Sequence, residues 1–151
     1  MLLQAHLCEQ VSGVRYDNRL KRAFLVLIVL QVAHSIEEYV FKFYEVFTPA
    51  RLLNDLLPGY SRPGFIALNV FLVCLGLFCY AYWVRPAKTQ ARVAIWFWIV
   101  IESYNAIAHT VWVIAGAGYN PGLIIAILFF PLAGYLAYGM RHIMIVVGNR
   151  P

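Results

Sequence analysis

Residues 23–43 read Ala23-Phe24-Leu25-Val26-Leu27-Ile28-Val29-Leu30-Gln31-Val32-Ala33-His34-Ser35-Ile36-Glu37-Glu38-Tyr39-Val40-Phe41-Lys42-Phe43. The length suits a membrane-crossing helix, since a hydrocarbon core of about 30 Å needs roughly 20 helical residues. Strand alternation is absent, and within lipid only helices or closed barrels satisfy their own backbones. Yet this apolar run carries Gln31, His34, Ser35, Glu37 and Glu38 in its second half. Similar runs follow at about 64–84, 91–117 and 122–147. The chain is 62% hydrophobic and 13% charged, against about 25% charged in a soluble domain. The expected fold is therefore all-α: a polytopic membrane protein, a four-transmembrane-helix bundle forming one integral membrane domain over 1–151.

The net charge of +5 is a topology signal, not a nucleic-acid footprint. The basic residues sit beside the apolar runs. Nine of them lie in the lead-in (Arg15, Arg19, Lys21, Arg22), the 85–92 loop (Arg85, Lys88, Arg92) and the C-terminal end (Arg141, Arg150). Three lie in the 42–63 connection (Lys42, Arg51, Arg62) and none in 116–122. The positive-inside rule then puts both termini in the cytoplasm. Trp83, Trp96 and Trp98 would mark the inner interface and Trp112 the outer one. A cleaved leader is disfavoured, because apolar and aromatic residues resume after the polar group of the first run. Cys74 and Cys79 fall in one apolar run and Cys8 in the lead-in, with no metal spacing.

The 42–63 connection carries its own signal. Thr48-Pro49 reads as an N-cap with proline at the first helical position. Leu52, Leu53, Leu56 and Leu57 then share a face, and Pro58-Gly59 ends the segment. A short interfacial amphipathic helix over about 48–57 is expected there. Asn120-Pro121 marks a tight turn between the third and fourth spans. Pro131 is expected to kink the fourth span. Asn69 reads as an interhelical hydrogen-bonding group.

Ionisable groups at membrane depth are costly unless paired, so they mark functional positions. The third run adds Glu102, Ser103, Asn105 and His109. At about 100° per residue, Gln31, His34 and Glu38 fall within one narrow stripe. Glu102, Asn105 and His109 repeat the same spacing. Two matching stripes on parallel helices imply one shared interior volume. Glu37 lies about 100° from Glu38 and so faces a neighbouring helix, a second ion or the interfacial cover.

His34-Ser35-Ile36-Glu37-Glu38 resembles the H-x-x-E-E motif of the HXXEE-domain family of small bacterial membrane proteins. The resemblance covers most of the chain, including a later helix with Asn and His. It implies a bacterial inner membrane and that His34, Glu37 and Glu38 matter, and it supplies no reaction. Extension of the site to Glu102, Asn105 and His109 rests on the two stripes.

Imidazoles and carboxylates on facing helices suit a divalent metal, Zn, Fe or Mn. His34, Glu38, Glu102 and His109 would be the ligands, with Glu37, Glu38, Glu102 and Asn105 in catalytic roles. The expected function is metal-dependent hydrolysis or oxidation of a hydrophobic or lipid-like molecule arriving from the bilayer. Metal-free isomerisation or cyclisation by the same acids and bases is the alternative. An ion pathway and a purely structural set of interhelical bonds are the non-enzymatic readings. His142 beside Arg141 reads as an interfacial residue, Tyr135 and Tyr138 as packing, and His6 carries no signal. No nucleotide, haem or nucleic-acid motif is present.

Overall fold

A computed structural model describes residues 16–46, 48–116 and 118–148. His6 and Cys8 lie outside the described residues. All regular structure among these residues is helical: α1 (Asn18–Val40), a 3-10 turn (Phe43–Glu45), α2 (Thr48–Leu56), α3 (Ser61–Cys79) continued by a π turn (Tyr80–Val84), α4 (Ala91–Ile114) and α5 (Leu123–Gly148). Four stretches are long and apolar enough to cross a membrane: Asn18–Val40, Ser61–Val84, Ala91–Ile114 and Leu123–His142. Their outward faces are apolar too, with Val29, Ile36, Val70, Phe71, Val93, Val100 and Ile124 all more than half exposed. Such continuous apolar surface requires lipid or another apolar partner.

The ends of the spans differ from the apolar runs where local chemistry intervenes. α1 begins five residues earlier than its apolar run, because Asp17 caps it by accepting from the Arg19 amide at 3.2 Å. The basic turn that follows is still helix, and the Lys21 ammonium donates to the Arg85 carbonyl at 2.8 Å. That bond places the start of α1 beside the turn before α4. α1 ends at Val40, and Lys42 takes a left-handed φ of 56°. This conformation is uncommon outside glycine, and it turns the chain so that Phe43 points back into the bundle. α2 forms where a short helix is expected, and Asn54 accepts from the Gly59 amide at 2.9 Å. Arg62 donates to the Tyr39 hydroxyl and lies over that ring at 5.3 Å, tying the start of α3 to the end of α1. α4 stops at Ile114, three residues short of the expected 117, and α5 runs on through Pro131.

The core is a seam of Phe24, Leu27 and Ile28 on α1, Ile95 and Trp98 on α4, and Phe129 and Leu136 on α5. Trp98 is fully buried in this seam. Its position four residues before Glu102 puts both on the inward stripe of α4. α3 packs closely because Gly76 lacks a side chain: a Cβ there would lie 2.6 Å from Ile28 Cδ1 and 3.1 Å from Trp98 Cζ2. α4 and α1 both pack extensively on α5, so α5 bridges the two helices that carry the polar stripes.

Candidate metal centre

The two stripes meet inside the bundle. Gln31, His34, Glu38, Glu102 and His109 are all buried, at 2%, 1%, 7%, 0% and 4% exposure. They separate into two groups along the helices.

The first group is His34, Glu38 and His109. Glu38 Oε1 lies 3.4 Å from His34 Nε2 and 3.4 Å from His109 Nε2. One ligand atom from each residue falls within 4.8 Å of the others. The imidazoles stand edge to face, centroids 4.9 Å apart. His34 Nδ1 lies 3.0 Å from the Gly122 carbonyl. A carbonyl only accepts, so Nδ1 carries a proton and Nε2 faces Glu38, as a lone pair in the neutral imidazole or as a donor in the imidazolium. Lone pair and carboxylate repel unless a cation or proton lies between them.

The distances bear on which it is. Charge-assisted N–H···O⁻ bonds settle at about 2.7–2.9 Å. Ligand bonds of about 2.0–2.2 Å give tetrahedral edges near 3.4 Å. Two of the three edges match that value, and the two imidazoles and the carboxylate could hold one divalent metal between them. The backbone bond on His34 is the kind of outer contact that orients a metal-bound imidazole. His109 Nδ1 has no hydrogen-bond partner among the described residues.

Glu102 belongs to the second group. Asn105 Nδ2 donates to Glu102 Oε2 at 3.2 Å. With its nitrogen turned toward α4, the Gln31 amide donates to both Glu102 oxygens at 3.1 Å, and its other end lies 3.3 Å from Ser35 Oγ. Ser35 Oγ donates to Asn69 Oδ1 at 2.7 Å, and Asn69 Nδ2 donates to the Phe65 carbonyl at 3.0 Å. Asn69 thus makes the interhelical bond expected of it. This polar chain crosses from α4 through α1 to α3. Asn105 and Glu102 sit one and two turns of α4 from His109, beside the ligand group and outside it.

Glu37 points elsewhere. Its Oε1 accepts from the Tyr119 hydroxyl at 2.6 Å and its Oε2 from the Ile125 amide at 3.2 Å. Of the outcomes open to it, it reaches a neighbouring helix, where it meets one of the free amides at the start of α5. Partial desolvation and the adjacent carboxylate push the Tyr119 phenol up to about 12. Tyr135 and Tyr138 are exposed, and His142 stacks edge-on against Tyr138 at 5.4 Å.

Two site residues escaped the sequence reading. Gly122 closes one side: a Cβ there would lie 2.6 Å from His34 Cε1, 2.8 Å from His109 Cε1 and 3.0 Å from Glu38 Cγ. Its φ of +94° and the Asn-Pro-Gly string signalled a turn, and nothing in the string signalled a site. Phe43 covers His109 with centroids 5.4 Å apart, and its place followed from the bend at Lys42.

Neither a curated protein nor a solved structure matches the chain. A family model does, over residues 25–136, a stretch that holds the His34-x-x-Glu37-Glu38 motif, both polar groups and the turn that closes them. On that match the chain belongs to the family described as "Protein of unknown function with HXXEE motif".

Proposed function

We propose that this protein is a membrane-embedded, metal-dependent enzyme, a hydrolase or oxidoreductase acting on a hydrophobic or lipid-like molecule. The observation that carries the reading is Glu38 Oε1 at 3.4 Å from two imidazole nitrogens, one on a ring that the Gly122 carbonyl orients through Nδ1. His34, Glu38 and His109 would hold the ion. Two imidazoles and one carboxylate are a ligand set used for catalytic zinc and for non-haem iron. The bound metal would supply Lewis acidity and an activated water or oxygen. Held by the polar chain, Asn105 would orient a substrate and Glu102 would exchange a proton with it. The apolar outer faces of the bundle suit a substrate that arrives through lipid. The orientation that goes with this reading has both termini in the cytoplasm of a bacterial cell.

Elemental analysis of untagged protein in mild detergent tests the metal. About one ion per chain is expected, lost in His34→Ala and in Glu38→Gln, with both variants folded by circular dichroism. Metal-free parent protein would sink this reading. It would favour the same residues as a buried imidazole–carboxylate triad for isomerisation or cyclisation, because 3.4 Å is also within ion-pair range.

A further inference from the structure

His34, Glu38 and His109 are almost wholly buried, so anything that reacts there must first move a cover. At this end of the bundle, beside Phe43 over His109, the site is covered by the turn 118–122. Gly118 and Gly122 bound it, with φ of +82° and +94°, conformations that glycine adopts without a Cβ penalty. Gly122 presses on both imidazoles and on Glu38. The turn has a hinge glycine at each end and the site directly beneath one of them.

What holds the turn down comes from the motif itself. His34 grips the Gly122 carbonyl from inside the bundle. Glu37 grips from outside, one oxygen on the Tyr119 hydroxyl and the other on the Ile125 amide. The Tyr119 ring also meets Phe41 edge-on, centroids 5.9 Å apart. Tyr119 is half exposed and Glu37 half-buried, so this outer grip can be released without disturbing the core.

We infer that Glu37 is a positioning residue: with Tyr119 it latches the 118–122 turn over His34, Glu38 and His109, and release of the latch admits reagents to that site. The inference rests on the proposed function only in treating those three residues as the reactive centre. It divides the motif by task. His34 and Glu38 face the centre, and Glu37 controls the approach to it.

Diethyl pyrocarbonate, which carbethoxylates accessible neutral imidazoles, reads the latch directly. The rate at each histidine is followed by peptide mass spectrometry on full-length protein in detergent with excess chelator, so that bound metal does not protect the rings. Glu37→Gln and Tyr119→Phe should each raise the rates at His34 and His109 by about tenfold, the size expected when a hydrogen bond to a charged group is lost. The exposed His142 should keep its parent rate, and the melting midpoint should fall by no more than about 2–4 °C, the change that one lost bond entails. Rates at His34 and His109 within about twofold of the parent in both variants would overturn the latch. So would a rise accompanied by a larger fall in the melting midpoint, which would mark general loosening. The readout does not depend on whether the parent protein carries metal, so the two ideas fail separately.

Discussion

At the residue scale the motif's spacing already separates its members. His34 and Glu38 are four apart and share a face, whereas Glu37 is turned away by about 100°. The sequence therefore shows that Glu37 cannot join the other two. Only the packed bundle shows that it reaches Tyr119 and Ile125 instead. Gly122 is the sharper case of a residue whose role is invisible in one dimension. Gly116 and Gly122 both have positive φ, but a Cβ at Gly116 meets nothing within 4 Å. Gly116→Ala should thus carry only the backbone cost. Gly122→Ala adds overlap with His34, His109 and Glu38 and is expected to destabilise by about 1–3 kcal/mol more. Thermal unfolding of both variants in one detergent decides this, and equal costs would mean that the turn yields freely.

At the element scale the amphipathic and apolar patterns mark where helices run, and capping and side-chain contacts mark where they stop. The Asp17 cap extends α1 back to Asn18, and the bend at Lys42 ends it before Phe43. The apolar run registers neither event, because hydropathy reports the solvent and not the backbone bond. Pairing between elements also depends on contacts of unequal weight. A single polar bond between membrane helices contributes about 0.6 kcal/mol on average, so Ser35→Ala, which cuts the link to Asn69, should cost little. Gly76→Val inserts a branched side chain against Ile28 and the pinned ring of Trp98, and overpacking of this kind costs about 1–3 kcal/mol. Unfolding in a denaturing detergent titration should rank Gly76→Val well below Ser35→Ala in stability. The reverse order would mean that the polar chain, and not close packing, holds α3 in place.

At the scale of the whole molecule four spans return the chain to the side on which it began. The Lys21–Arg85 contact gathers the start of α1 and the turn before α4 at one end, and α2 and the 118–122 turn lie at the other. With the basic residues concentrated at the first end, that end is expected to face the cytoplasm. In a chain whose three cysteines are replaced by alanine, an impermeant maleimide added to intact cells should label Asn54→Cys and spare Thr89→Cys. The opposite pattern would invert the orientation and put the latch on the cytoplasmic side.

Taken alone, the sequence determined the solvent, the helical class, the number of spans and the two polar stripes. Each of these depends on local composition or on the 3.6-residue period, which a chain carries whether or not it is folded. The tertiary structure decided how the polar residues are shared out. Side by side on paper, Glu102 looks as good a ligand as His109. In the bundle the relative height of α1 and α4 brings His109 to Glu38 and leaves Glu102 with Gln31 and Asn105. That height follows from close approaches such as Gly76 on Trp98 and Gly122 on the two imidazoles. Those are contacts between residues far apart in the chain, and no local pattern encodes them.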